Sequence, residues 1–341
     1  MRTLFIHIGS GKTGTTSIQK FLAANRERLL DQNFCYPGYD DNHHQLVTIF
    51  EKDDRILPRI LASQNAQKIR LNSQIHRDII IKEIERSNKN FIISSEYFQH
   101  ITNNKNVKKI FHFFRKFFQK IEIIYYVREP IGLYQSIAQQ YIKAASTFPG
   151  PSIKFNNKSI IESWALNFPV TVSTFDTDQD VIESFCRIVG INASPLCKAS
   201  KANQSLSTEQ VYLLSKIQHF RYGANENIYK SHLKIISENP PPKNFSSKLI
   251  VKKNVSGVIW ENNMDDMRWL NKKYGTNFQL KNYSIDNLND IQNLDGNFLN
   301  IDKIFQVNAD FVARYEAQII DNLLKIYHSI SSNRYLRRDS K

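Results

Sequence analysis

Thr3-Leu4-Phe5-Ile6-His7-Ile8 runs directly into Gly9-Ser10-Gly11-Lys12-Thr13-Gly14-Thr15-Thr16-Ser17, and this passage decides the fold. The first six residues are mostly apolar and β-prone, which reads as a short buried strand. Gly9 to Gly14 make a glycine-rich turn. From Thr15 onward Ile18, Phe21, Leu22 and Leu29 recur at helical spacing. A strand, a glycine-rich turn and a helix in that order aim backbone N–H groups and a partial positive charge at one point, which suits an anion.

Working outward, the same alternation continues. Phe34-Cys35-Tyr36 reads as a second strand, stopped by Pro37-Gly38. Residues 42 to 87 read as mostly helical, and Asn90-Phe91-Ile92-Ile93-Ser94-Ser95 as a third strand. Ile110, Phe113, Phe114, Phe117 and Phe118 form an apolar stripe with Lys108, Lys109, Arg115, Lys116 and Lys120 between them. That is an amphipathic helix, packing its Phe stripe on a sheet or binding a membrane or calmodulin. Glu122 to Val127 and Val170-Thr171-Val172-Ser173 supply two more strands. Strands alternating with helices imply an α/β fold with a central parallel sheet flanked by helices. Beyond about residue 205 the texture turns helical, with Ser207-Thr208-Glu209 as a helix start, a loop at Pro240-Pro241-Pro242, an Asn-rich stretch over 243–300 and a helix over 308–330. The expected organisation is a core over 1–205 and a mainly helical region over 206–341 that completes the fold or the site.

Composition narrows the setting. Apolar residues make up 41% and charged residues 23%, so the chain can bury a core and is not globally disordered. Cys35, Cys186 and Cys197 cannot build a disulfide framework and form no C-x-x-C pair, which points to a reducing, cytoplasmic setting. No run of about 18 apolar residues spans a membrane, and the first residues make a poor signal peptide. The triplet Asn203-Gln204-Ser205 then reads as chance. Lys and Arg number 46 against 32 Asp and Glu, a net charge of +14. That excess suits an anionic partner or is plain solubility charge; it leaves room for a peripheral membrane contact.

The loop admits three readings. Gly9-x-Gly11-x-x-Gly14 fits a dinucleotide fingerprint with Asp40 or Asp41 as the ribose acid, but a lysine and four hydroxyls are foreign to that turn. Gly11-Lys12-Thr13 fits the core of an NTPase P-loop, but Ile6 stands where that motif needs its first glycine. The third takes Lys12-Thr13-Gly14-Thr15-Thr16 as a unit that holds one phosphate and its attached group without a metal.

On these residues the chain resembles the PAPS-dependent sulfotransferases, bacterial ones above all, PAPS being 3′-phosphoadenosine 5′-phosphosulfate. His7 to Gln19 is similar to their 5′-phosphosulfate loop. Tyr125-Tyr126-Val127-Arg128-Glu129-Pro130 with Ser136 at R-x7-S spacing is similar to their strand-end Arg and helix Ser, which bind the 3′-phosphate. The likeness covers roughly 1–215, with Tyr36-Pro37 and Ser94-Ser95-Glu96 as minor supports.

The resemblance implies a P-loop NTPase-like three-layer sandwich and sulfuryl transfer from PAPS to an acceptor hydroxyl on a carbohydrate. The product is 3′,5′-ADP; no metal and no nucleic acid take part. It implies that Gly11, Lys12, Thr13, Gly14, Thr15, Thr16, Ser17, Arg128 and Ser136 hold the cofactor, with Lys12 also stabilising the leaving phosphate. Glu96, just past the third strand, is the first candidate base; His43 and His44 are runners-up. Ser94 and Ser95 are minor candidates for the phosphosulfate. Gln139, Gln140 and Lys143 either line the acceptor site or form an exposed helix face. A kinase or NTPase using the same loop, or a basic nucleic-acid- or membrane-binding protein, remains the alternative.

Overall fold

The structure, a computed structural model, describes residues 2–51, 66–144, 147–176, 178–197, 205–222, 231–279, 291, 294, 296 and 300–336. Its strands are β1 (Thr3–His7), β2 (Phe34–Cys35), β3 (Asn90–Ser94), β4 (Lys120–Val127) and β5 (Val170–Thr174). Its helices in chain order are α1 (Thr15–Ala24), α2 (Arg26–Asp31), α3 (His44–Phe50), α4 (Ala66–Arg86), α5 (Asn104–Phe114), α6 (Pro130–Ala144), α7 (Asn157–Ala165), α8 (Val181–Val189), α9 (Thr208–Tyr222), α10 (Ser231–Glu238), α11 (Lys253–Tyr274), α12 (Ile301–Ile304) and α13 (Ala309–Leu336). Two compact units interleave along the chain. One comprises Met1–Glu129, Phe155–Asn203 and Met264–Leu280; the other comprises Pro130–Lys154, Gln204–Asn263 and Lys281–Lys341. Among the described residues no helix is long and apolar enough to cross a membrane.

The first unit is built on a sheet of order β2-β3-β1-β4-β5, with every pair parallel. β1 sits in the middle, with Ile6 opposite Ile93 on one side and Ile123 on the other. Side chains alternate between the faces. Phe5, Ile92, Ile124 and Tyr126 form one cluster with Ile18, Phe21 and Leu22 of α1, Leu29 of α2 and Phe185 and Val189 of α8. On the other face Phe91 meets Phe118, which follows α5, at 5.5 Å between ring centres. There too Tyr125 Oη donates to Asn157 Oδ1 of α7 at 3.0 Å. The sheet is therefore flanked by helices on both faces, as the α/β reading anticipates.

Local chemistry sets the helix ends. Asn103 accepts from the Lys105 N–H at 2.9 Å and starts α5. Asp180 does the same for Ile182 at 2.8 Å and starts α8, which stops at Gly190 in the left-handed region. The Phe stripe behaves as a core face: Val107, Ile110, Phe114 and Phe118 are buried. The helix itself ends at Phe114, however, and Phe117 and Phe118 lie in the turn into β4. The expected helical stretch over 42–87 resolves into α3 and α4, and 52–65 lies outside the described residues.

The second unit is helical. Tyr315 of α13 is buried and donates to the carbonyls of Ile236 at 3.2 Å and Asn239 at 2.9 Å. Gln139 of α6 brackets Leu206, donating to its carbonyl at 3.1 Å and accepting from its N–H at 3.3 Å. Single antiparallel bridges, Phe148 to Gly296 and Val251 to Phe305, tie its loops.

Candidate functional site

α1 leaves β1 on one face of the sheet, whereas α5 and α7 follow β3 and β4 on the other. Chains that part to opposite faces open a crevice at the carboxyl ends of the strands, where open α/β sheets take their ligands. The loop from Gly9 to Gly14 fills that place.

Its backbone is bent by three positive φ values: 54° at Gly9, 65° at Lys12 and 79° at Gly14. Two of the three are glycine for a visible reason. A Cβ on Gly9 would stand 2.9 Å from Thr15 Oγ1 and 3.3 Å from Glu96 Cα; one on Gly14 would stand 2.8 Å from Val181 Cγ1. Lys12 adopts the left-handed turn without that freedom, a strain of about 1–2 kcal/mol. Its carbonyl is held by Arg128 Nη1 at 3.0 Å. The hydroxyls of Thr13 and Thr15 both donate to the Ser10 carbonyl, at 2.6 and 3.3 Å, and cinch the turn.

What the turn leaves over is more telling. Ser17 and Ile18 donate to the Gly14 carbonyl, and Ile8 donates to Ile124. Gly11 and Lys12 form a turn closed from the Thr13 N–H to the Ser10 carbonyl, and no backbone bond among the described residues takes up the N–H groups of Gly9, Ser10, Gly11, Lys12, Gly14, Thr15 or Thr16. Backbone donors that bend from right- to left-handed geometry form a concave nest for an anion. No acidic residue lies in the first turn of α1 to oppose one.

Two cations and one carboxylate frame this nest. Arg128, at the carboxyl end of β4, stands over the Phe175 ring at 5.2 Å, and one of its donors is spent on Lys12. Burial lowers the Lys12 pKa from its ordinary value; Glu96 pulls it back up and Arg128 presses it further down. Burial raises the Glu96 carboxyl above the usual range, with the Lys12 charge opposing. The two are not within ion-pair distance, and Glu96 Oε2 is buried with no hydrogen-bond partner. Thr16 is exposed and Ser17 half-buried at the start of α1.

The histidines divide by their partners. His43 is fully buried with both ring nitrogens engaged by backbone: Nδ1 accepts from Ser94 N–H at 3.1 Å, and Nε2 donates to the Pro37 carbonyl at 2.9 Å. Burial holds its pKa down at about 3. His44 Nδ1 lies 2.8 Å from Ser95 Oγ, its ring stands edge-on to Tyr97 at 4.6 Å, and burial lowers its pKa to about 4. Ser95 also caps the short turn Glu96–His100 by accepting from Tyr97 N–H. The loop, Arg128, Glu96, His43, His44, Ser94 and Ser95 all belong to the first unit. Ser136, half-buried on α6, belongs to the second, as do Gln139, Gln140 and Lys143. Gln139 is taken up by Leu206 and Gln140 is exposed.

Three residues of this site escaped the sequence reading. His7 ends β1, fully buried, with Nδ1 2.9 Å from Ser94 Oγ. Gln19 of α1 donates to the Ser94 carbonyl at 3.4 Å and to its hydroxyl at 3.3 Å. Ser94 thus ties β1, α1 and the His43 turn together just before Glu96. Phe175 follows β5 directly, with Arg128 over its ring. A histidine closing an apolar strand and a glutamine inside an apolar helix face were the available signals. No family model matches this chain, and no curated protein or solved structure matches it.

Proposed function

We propose that the chain is a PAPS-dependent sulfotransferase, with a P-loop NTPase-like three-layer sandwich as its first unit, acting on a hydroxyl of a carbohydrate acceptor. The observation that carries this reading is the set of N–H groups left without a backbone acceptor between Gly9 and Thr16, Thr13 apart, beside Lys12 and Arg128. It suits a ligand with a phosphate-like group at the start of α1. Arg128 keeps donors to spare for a second anionic group, and its planar fork suits phosphate oxygens. The acceptor class rests on the resemblance alone.

When bound, the cofactor supplies an activated sulfuryl group on a phosphate leaving group. The loop amides would hold its phosphate-like group, and Lys12 would balance negative charge on the leaving phosphate. Glu96 takes the proton of the acceptor hydroxyl. Its buried, unpartnered oxygen and raised pKa make it a stronger base than an exposed glutamate. His43 has no free nitrogen for that task, and its two backbone bonds instead hold the turn that presents Glu96. The test is thermal shift with 3′,5′-ADP, ADP and NAD. A clear preference for 3′,5′-ADP supports the reading; equal stabilisation by ADP overturns it.

A further inference from the structure

The exposed face of α5 is a second cationic surface, and it stands whether or not the loop site transfers a sulfuryl group. From Tyr97 to Ile121 the chain has no Asp or Glu, yet it carries Lys105, Lys108, Lys109, Arg115, Lys116 and Lys120. α5 turns Val107, Ile110 and Phe114 inward. Lys105, Lys108, Lys109, Arg115 and Lys116 are all exposed. Lys105 and Lys109 fall at i and i+4 on one face of α5, and Lys116 follows in the turn behind it, a row of three exposed lysines.

The charge on this row is not compensated. Among the described residues Lys105, Lys108, Lys109, Arg115 and Lys116 make no ion pair, whereas Lys120 pairs with Glu122. Lys109 Nζ donates to Asn106 at 2.8 Å. The nearby acid, Glu51, accepts from Asn106 Nδ2 at 3.0 Å.

We infer that this row docks a linear acidic polysaccharide, a flexible chain with a carboxylate on its sugar rings. A lipid surface is the poorer fit, because an interfacial helix needs an apolar face to bury and α5 has already buried its own. Single-stranded nucleic acid is also poorer, because it needs exposed aromatic planes for stacking. Here Phe111 packs on Phe168 at 5.4 Å and Phe113 on Phe50 at 5.5 Å. The single arginine turns Nη1 back onto the carbonyls of Phe118 and Gln119. Four lysines remain as point charges on flexible stems, which follow a string of carboxylates without demanding one geometry.

The experiment is fluorescence anisotropy of labelled oligogalacturonate with the full chain over a salt series. Its companions are a neutral dextran, a single-stranded oligonucleotide and phosphatidylserine vesicles. Lys105→Ser/Lys109→Ser/Lys116→Ser should weaken oligogalacturonate binding at least about tenfold and flatten its salt dependence. A variant of equal charge loss elsewhere, Lys68→Ser/Lys82→Ser/Lys272→Ser, should bind like the parent, and the three row lysines replaced by arginine should keep binding. Absence of parent binding, equal loss in the two serine variants, or tighter binding of oligonucleotide or vesicles through the same row overturns the inference.

Discussion

Replacing Gly14 by alanine separates the two reasons for glycine in the loop before α1. Gly14 has φ 79°, and an added Cβ would meet Val181 Cγ1 at 2.8 Å and Phe175 Cε2 at 3.1 Å. Neither neighbour yields easily: Val181 is β-branched and opens α8 directly behind its Asp180 cap. Gly190, in the same unit, has φ 89° and nothing within 4 Å of its added Cβ. Alanine at either place bears the left-handed penalty of about 1–2 kcal/mol, offset in part by a stiffer unfolded chain. Those contributions cancel between the two variants. What remains is overpacking at Gly14, about 1–3 kcal/mol. Urea denaturation followed by circular dichroism, with unchanged m-values, measures the difference. Gly14→Ala should also lose 3′,5′-ADP binding, because the start of α1 is displaced, while Gly190→Ala keeps it. If the two variants lost the same stability, the close fit of the loop against α8 would be wrong.

Arg128→Ala should abolish the preference for 3′,5′-ADP over ADP in thermal shift and loosen the loop through the lost bond to the Lys12 carbonyl. Lys12→Ala should lower turnover more than 3′,5′-ADP affinity; equal losses indicate anchoring alone. Glu96→Gln should cut turnover by roughly two to four orders of magnitude while nucleotide binding survives. In the parent, activity should fall as pH drops through the Glu96 pKa, which burial sets above that of an ordinary glutamate, and this acid limb should vanish in the variant. For stability, burial depresses His7 and His43 to about 3 and His44 to about 4. The stability tied to their neutral forms is fully present above the unfolded value near 6.5 and drains as pH falls toward the folded values. Each should contribute a slope approaching about 1.4 kcal/mol per pH unit between those limits, measurable by denaturation from pH 7 to 4.

The strands were legible because a buried parallel sheet leaves short, nearly continuous apolar runs, and all five anticipated strands are present. α11 was not. Gly257, Asn262, Asn263, Asp265 and Asp266 are weak helix formers inside it, and its buried Val255, Val258, Ile259, Met267 and Leu270 are spread among polar residues. The loop, Arg128 and Glu96 could be named in advance because each sits at the end of a strand, and strand ends share one edge of a parallel sheet. The network around Ser94 could not. Its bonds join positions up to 87 residues apart, and two of them run from a histidine ring to backbone groups that no side-chain pattern reveals.

The central position of β1 also dictates when the Gly9–Gly14 loop can take its shape. β1 pairs only with β3 and β4, so its last hydrogen-bonding neighbour arrives with residues 120–127. At the usual pace of synthesis, about 5–20 residues per second, roughly 6–24 s separate Ile8 from Val127. Until residues 90–94 emerge Leu4-Phe5-Ile6 has no strand to pair with, and until β4 follows it is paired on one side only and the loop after it lacks its second flank. A nascent chain halted before Val127 should therefore expose an apolar strand to chaperones and bind no nucleotide, whereas one extended through β5 gains a template on both sides of β1.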